Sequence, residues 1–115
     1  MKAVNVTQNK ILANTLSIAD TFVSSFIGLI GKGSLALGHG LWIIPCQSVH
    51  TFWMRSSIDV IFLDKNRTVI HFVERLRPFR ISKHISRARS VIELPTNTIK
   101  ATHTQLGDQI EVLEG

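Results

Sequence analysis

The residue types that could carry chemistry are concentrated in the middle of the chain. The stretch 46–64 reads CQSVHTFWMRSSIDVIFLD and contains the single cysteine, Cys46, followed by His50 and Asp59. A thiolate near an imidazole can act as a nucleophile beside its base, and zinc accepts the same two side chains as ligands. His50 with Asp59, or with Glu93 from a later segment, would instead form a general acid–base pair.

The spacing of these residues predicts a β-hairpin rather than a compact catalytic cluster. Apolar alternation over 49–54 and 58–64, on either side of a two-serine turn, is typical of two antiparallel strands. In a strand, residues four apart share a face but lie roughly 13 Å from each other. Cys46 and His50 are therefore weak metal candidates, and no cofactor is predicted. The same spacing separates His50 from Asp59 along the ladder, which leaves only pairs built from separate strands.

Two carboxylates in this region need partners, because a carboxylate in an apolar layer is costly unless it is paired or hydrogen-bonded. Asp59 belongs to the hairpin, and Glu93 is the only acid in the strand-like segment SVIELP at 90–95. We expect arginines of the segment RLRPFR at 75–80 to pair with them. Such pairs would be either structural salt bridges or the border of a preformed polar cleft with a cation able to bind a small anion. The predicted cleft residues are His50, Arg55, Asp59, Arg77, Arg80 and Glu93.

Positive charge is concentrated in one segment. The formal net charge of the chain is +5, and residues 65–89 hold eight lysines and arginines against one acid, Glu74. Such a segment favours an acidic partner, which includes nucleic acid, anionic lipid and polyanionic ligands. Nucleic acid is not the expected partner, because no motif of a known module is present and only Phe72 and Phe79 offer rings for base stacking.

The rest of the sequence predicts a single domain over 1–115 that is mainly β (α+β), with a compact antiparallel barrel or jelly-roll-like sheet. Asp20 is the expected N-cap of one helix, whose apolar residues recur at spacings of three and four up to Ile30. A short helical turn is predicted over 96–104, with Thr96 as its cap. Besides the hairpin, strands are expected at 2–6, 11–20, 41–45, 68–77 and 88–95. The segment 106–113 is expected to form a turn followed by a last strand.

No segment has the length of a membrane-spanning helix. The longest apolar stretch, residues 22–31, is about half of what a bilayer requires. The first ten residues lack the apolar run that is typical of a signal peptide. A cytoplasmic protein is the resulting expectation.

Several of these segments together resemble a known family. The string CQSVHTFWMRSSIDVIFLDKNRTV, followed by LRPFR, SVIELPTNT and LGDQIEVL, is similar to the bacterial and archaeal family catalogued as domain of unknown function 192. The likeness covers roughly residues 15–113 and implies a compact β-rich domain with one or two short helices and no established activity. Trp53 and the two serines at the hairpin tip depart from the family pattern. The positions that match it are Cys46, His50, Met54, Arg55, Asp59, Asp64, Arg77, Arg80 and Glu93.

The leading functional prediction is a non-enzymatic binding or accessory domain, whose cleft receives a small anionic ligand or a protein partner. One alternative is a small hydrolase or transferase that uses His50 with Asp59 or Glu93. Another is nucleic-acid binding through residues 65–89, which would weaken steeply with added salt. Convergence of the histidine and both carboxylates at an open pocket would favour the enzyme, whereas burial with separate partners would disfavour it.

Overall fold

Eight short strands and one short helix make up the regular structure of the residues that are described. The computed structural model describes residues 1–19, 35–51 and 54–114, so the helix predicted from Asp20 lies outside them. None of these elements is a helix with the length and apolarity needed to cross a bilayer. The elements are β1 Lys2–Asn5, β2 Lys10–Ala13, β3 Thr15–Ala19, β4 His39–Ile43, β5 Ile58–Leu63, β6 Val69–Leu76, β7 Ser90–Pro95, α1 Thr98–Thr102 and β8 Ile110–Leu113.

The strands form two sheets. β1 lies between β2 and β8 in a three-stranded antiparallel sheet, and the five-stranded sheet has the order β3-β4-β7-β5-β6. Pairs in the larger sheet are antiparallel except β3 with β4, which run parallel. Parallel neighbours need a crossover of roughly a dozen residues or more, and residues 20–38 provide that length. The prediction of a mainly β fold is confirmed, although the described strands form two sheets and no closed barrel is found among them.

Main-chain hydrogen bonds join the two sheets at two places. At one, the Val69 N–H donates to the Asp108 carbonyl at 2.8 Å, which brings the start of β6 next to β8. At the other, the Leu16 N–H donates to the Met1 carbonyl at 2.7 Å, which brings β3 next to β1. The apolar faces of the two sheets therefore pack against each other.

A buried polar cluster supports the turn before β8. Asp108 is 5% exposed, and its Oδ2 accepts hydrogen bonds from Asn5 Nδ2 at 2.9 Å, Gln8 Nε2 at 3.1 Å and the Gln105 N–H at 2.9 Å. Burial acts to raise the pKa of Asp108, but the hydrogen bonds from Asn5, Gln105 and Gln8 together lower it. The fold therefore stabilises this carboxylate in its charged form.

β5 and β7 lie inside the larger sheet and are buried along their whole length. Strands that are covered on both faces read as continuous apolar runs, so Asp59 and Glu93 are conspicuous exceptions. One face of the sheet packs against the smaller sheet, and we call this layer the inter-sheet core. It includes Ala3, Trp42, Ile61, Leu63, Ile92, Leu94 and Ile110. The other face packs against loops, and we call this layer the loop-side core. It includes Leu41, Ile43, Cys46, Val49, Val60, Phe62 and Val91.

The strand predicted over 49–54 is wrong for the residues of that range that are described. β5, its expected partner, has β6 on one side and β7 on the other, so neither edge of β5 is free to pair with it. The chain instead binds the segment that follows β6. The Thr51 N–H donates to the Arg80 carbonyl at 2.9 Å, and the Ser82 N–H donates to the Val49 carbonyl at 2.8 Å.

Two connections determine how the remaining strands pair. The segment 11–20, predicted as one strand, divides at Asn14 into β2 and β3, which belong to different sheets. The connection between β5 and β6 is the predicted tight turn. There Asp64 Oδ1 accepts the N–H of Asn66 at 2.8 Å and that of Thr68 at 3.0 Å. This local turn confirms the pairing of β5 with β6.

Candidate functional site

Asp59 is fully buried on the inter-sheet side of β5 and is held by main-chain donors. One carboxylate oxygen accepts the Arg75 N–H at 3.0 Å, and the other accepts the Ile99 N–H at 2.9 Å. The second bond caps α1, whose own N-cap, Asn97, has a φ of 74° and makes no side-chain cap hydrogen bond. The predicted cap at Thr96 is therefore wrong, and the cap comes from a distant strand.

The predicted ion pair between Asp59 and an arginine is not formed among the described residues. Arg75 binds Asp59 through its main-chain N–H, while its guanidinium donates to Asn97 Oδ1 at 2.7 Å. Arg77 and Arg80 are exposed. Because two main-chain N–H groups already satisfy the carboxylate, no guanidinium is required next to it.

Glu93 projects from β7 to the other face of the same sheet. In the register it lies between Leu41 of β4 and Val60 of β5, which both belong to the loop-side core. Its side chain is 7% exposed, and burial raises the pKa of Glu93 to about 7. Across the described ranges no cation or hydrogen-bond donor lies against this carboxyl, so the predicted arginine partner is wrong here as well. A carboxyl in apolar surroundings lowers its cost by holding a proton.

The two carboxyls cannot serve one site. They stand one residue out of step in adjacent strands, so their side chains leave the sheet on opposite faces. His50 is half-buried in the loop that covers the Glu93 face, where its neighbour Val49 packs into the loop-side core and His50 itself pairs with Ile81. The sheet therefore separates His50 from Asp59, whereas His50 and Glu93 lie on the same side.

The other residues of the predicted cleft are dispersed. Arg55, Arg77 and Arg80 are exposed, and the last two flank a turn that is fixed by the buried Thr51. Asp59 borders a cavity of about 290 Å³ that contains no other residue of the predicted set. That cavity is lined by Asp59, Glu74, Arg75, Asn97 and Lys100.

Cys46 lies in the wall of an open groove. The cavity there has a volume of about 540 Å³. The Cys46 thiol is buried and donates a hydrogen bond to the Ser48 carbonyl, with a sulfur–oxygen distance of 3.0 Å. In the parts of the chain that are described, no three His, Cys, Asp or Glu side chains are grouped so that they could hold a metal ion. The groove is lined by Pro45, Cys46, Gln47, Ser48, His84, Ala88 and Arg89.

A second open cavity, of about 430 Å³, adjoins the first, and we call the two together the basic groove. Three cationic side chains border it, from Lys65, Arg87 and Arg89, and all three residues are exposed. Among the described residues that line it there is one acid, Asp64, which already accepts two main-chain hydrogen bonds. The second cavity is lined by Gln47, Asp64, Lys65, Ser86, Arg87, Ala88 and Arg89.

Hydrogen bonds fix the walls of the basic groove relative to each other. The Cys46 N–H donates to the Arg89 carbonyl at 3.1 Å, and the Ile85 N–H donates to the Gln47 carbonyl at 2.8 Å. The Gln47 side chain also donates to the Ser86 carbonyl at 2.8 Å. The groove is therefore preformed, because each wall is anchored to the other through the main chain.

Sequence reasoning places Lys65, Arg87 and Arg89 in a basic segment but does not assign them to a site. The residues that complete the groove come from the segment around Gln47, which is remote in sequence. The concentration of positive charge over 65–89 is the sequence feature that points to this groove. Hydrophobic periodicity does not predict the turn and loop contacts that bring these side chains together.

Comparison with known proteins places this fold among uncharacterised relatives. A UPF0127 protein of Thermococcus sibiricus is 34% identical over 113 residues, covering 94% of this chain and 72% of that protein. A UPF0127 protein of Pyrococcus horikoshii is 37% identical over 114 residues, covering 94% and 96%. A crystal structure of a protein of unknown function from Novosphingobium aromaticivorans matches with a TM-score of 0.78 and 16% identity, covering 96% of this chain and 82% of that chain. The last likeness shows the fold alone.

The family assignment follows from the sequence match along nearly the whole chain. The model of the family described as Uncharacterized ACR, COG1430, which is domain of unknown function 192, matches residues 3–112. The resemblance expected from the CQSVHTFWMRSSIDVIFLD region and its partner segments is confirmed. This chain belongs to that family.

Proposed function

We propose that this protein is a binding domain that holds a small anionic ligand in the basic groove. The observation that carries the proposal is the convergence of Lys65, Arg87 and Arg89 on one groove, where the acid among the described lining residues, Asp64, is engaged by main-chain donors. Arginine offers planar paired donors that match phosphate and carboxylate, and lysine adds a compact charge. A phosphate or carboxylate group is therefore the feature that this groove would recognise.

The dimensions of the groove support a small molecule as the ligand. Its two cavities, of about 540 and 430 Å³, are each in the range of ordinary ligand pockets. The cationic part suits the anionic group, while the part bordered by Cys46, Ser48 and His84 offers mixed polar and apolar contacts to the remainder. A ligand with a charged end and a less polar body would use both parts.

The proposal is tested by titrating the isotope-labelled protein with inorganic phosphate and with citrate at low salt, and following amide shifts by NMR. We expect saturable shifts at Lys65 and over residues 86–89. Replacing Arg89→Gln should weaken phosphate binding about fivefold or more, because a charge-assisted contact is lost. Arg55→Gln, an exposed arginine outside the groove, is the matched control and should bind as the parent does.

Two results would contradict this proposal. One is the absence of localised shifts in the groove with either anion. The other is an equal loss of binding in the Arg89 and Arg55 variants, since that outcome would mean that only net charge matters.

We propose acid–base catalysis as a second candidate function, because of one observation at Glu93. A carboxyl with a pKa of about 7 can both donate and accept a proton near neutrality, and His50 lies on the same side of the sheet. The test is hydrolysis of p-nitrophenyl ester and phosphate substrates by the parent and by Glu93→Gln. Activity that is lost in the variant and titrates near pH 7 supports this function, whereas equal rates in both proteins remove it.

A further inference from the structure

A turn after β6 presents two large apolar side chains to solvent. Phe79 is 69% exposed and Ile81 is 67% exposed. They are two residues apart, so their α-carbons lie within about 7 Å of each other. Single exposed apolar residues are common, but two large ones on the same turn are a candidate contact surface.

The turn is held in place by one buried residue. Thr51 is 1% exposed; its carbonyl accepts the Phe79 N–H at 3.0 Å, and its hydroxyl accepts the Arg80 N–H at 3.0 Å and donates to the Arg77 carbonyl. Phe79 has a φ of 61°, a left-handed conformation that is uncommon for a bulky residue. A backbone conformation of this kind persists only where the surroundings determine it, so the exposure of Phe79 is a fixed feature of the fold.

The surroundings of this turn are positively charged. Residues 75–92 contain no acid. All of their basic side chains are exposed, so the field around the apolar pair is attractive to anions over the whole segment. The basic residues are Arg75, Arg77, Arg80, Lys83, Arg87 and Arg89.

We propose that the turn Arg77–Lys83 docks onto an anionic lipid bilayer. Phe79 and Ile81 enter the boundary between headgroups and acyl chains, while Arg77, Arg80 and Lys83 contact lipid phosphates. Peripheral membrane binding combines these two elements, an apolar insertion and a set of basic residues at the headgroup level. The inference is independent of the basic groove, because neither apolar residue lines it.

Nucleic acid fits this surface less well than lipid does. Non-specific binding to single strands relies on aromatic rings on which successive bases stack. Of the two phenylalanines in the segment 65–89, Phe72 packs against the inter-sheet core, so Phe79 is the one phenylalanine there that faces solvent. Ile81 has no stacking role, whereas both apolar side chains have a place in a bilayer.

The experiment is co-sedimentation of the full chain with vesicles of phosphatidylcholine alone and of phosphatidylcholine with about 30% phosphatidylserine. The parent should bind the anionic vesicles and not the neutral ones. Phe79→Ser combined with Ile81→Ser should lower binding about tenfold or more, because the inserted apolar surface is lost. Phe79→Leu combined with Ile81→Leu should retain binding, which separates insertion from any effect on folding.

Matched controls locate the effect on this turn. Leu106→Ser alters another exposed apolar residue and should bind as the parent does. Arg77→Gln and Arg80→Gln should each weaken binding about fivefold. Arg89→Gln, which weakens phosphate binding in the groove, should lower vesicle binding by less than either turn variant, and the Phe79/Ile81 serine variant should bind phosphate normally.

Several outcomes would overturn the inference. Equal binding to neutral and anionic vesicles would remove the role of the arginines. Unchanged binding of the serine variant would remove the insertion. Binding to single-stranded DNA in the absence of any vesicle binding would assign the surface to nucleic acid instead.

Discussion

Asp59 and Glu93 are buried carboxyls on adjacent strands of one sheet, and their surroundings are opposite in kind. Asp59 faces the inter-sheet core and receives two main-chain N–H donors, whereas Glu93 faces the loop-side core between apolar neighbours. The first is integrated in the fold as an acceptor that anchors β6 and α1. The second contributes no hydrogen bond among the described residues, and its burial costs stability unless it is protonated. The contrast teaches that burial alone does not indicate the role of a carboxyl. The hydrogen-bond donors that surround the carboxyl indicate it.

The largest expected effect comes from removing the satisfied carboxyl. Asp59→Ala leaves the N–H groups of Arg75 and Ile99 without their acceptor inside the fold, and should lower the free energy of unfolding by about 3–5 kcal/mol. Urea denaturation at pH 7 measures the loss. Asp64→Ala is the matched control, because Asp64 also accepts two main-chain N–H groups but in a partly exposed turn. An equal loss of stability in the two variants would contradict the idea that the buried Asp59 anchors the fold more strongly than Asp64 supports its local turn.

A smaller effect with a definite pH dependence is expected at Glu93. Its pKa is raised from 4.5 to about 7 in the folded state, so the folded protein retains a proton that the unfolded chain releases. The free energy of unfolding of the parent should therefore fall between pH 4.5 and 7, by up to about 3 kcal/mol, and level off above. Glu93→Gln should lack this fall and should be the more stable protein at pH 8.

The measurement for Glu93 is a set of urea unfolding curves at pH 5, 6, 7 and 8. Glu93→Leu is a second variant without an ionisable group and should show the same loss of pH dependence as Glu93→Gln. A difference between parent and glutamine variant that stays constant across this range would mean that the carboxyl is stabilised by donors, as Asp59 is.

The smallest effect sharpens the comparison with a third carboxyl. Asp108 is buried like Glu93 but receives three donors, and its pKa is lowered rather than raised. Its stabilisation is therefore present above its ordinary pKa of 3.8 and is lost as the pH falls through the lowered folded value. Asp108→Asn should cost about 1–2 kcal/mol at pH 7 and progressively less in acid, as measured by thermal unfolding at pH 7 and pH 3. A loss of stability in Asp108→Asn that is larger at pH 3 than at pH 7 would contradict the stabilisation of the charged carboxylate.

The sequence predicts those parts of the fold that local interactions determine. The pairing of β5 with β6 is one such part, because Asp64 closes the turn through hydrogen bonds to residues only two and four positions away. The strand predicted over 49–54 fails for the complementary reason. Its alternation is real, but whether β5 has a free edge depends on β7, which lies much later in the chain.

The site residues show the same division. Sequence patterning identifies Asp59 and Glu93 as polar exceptions inside apolar strands, and both are buried. It does not reveal that the register directs them to opposite faces, nor that main-chain donors replace the expected arginines around Asp59. Hydrophobic periodicity likewise does not predict the basic groove, because the Gln47 segment meets the Arg87–Arg89 segment through loop contacts.

The position of β7 between β4 and β5 has a consequence for synthesis on the ribosome. β1–β2 and β5–β6 are hairpins that can form as soon as their residues emerge, whereas β4 and β5 are joined only through β7, which is made later. β8 completes the smaller sheet in the same way, by pairing with β1. Two hairpins therefore keep their apolar faces exposed until the last strands of the described chain have been made. A nascent protein that stalls before Ser90 would depend on chaperones to remain unaggregated.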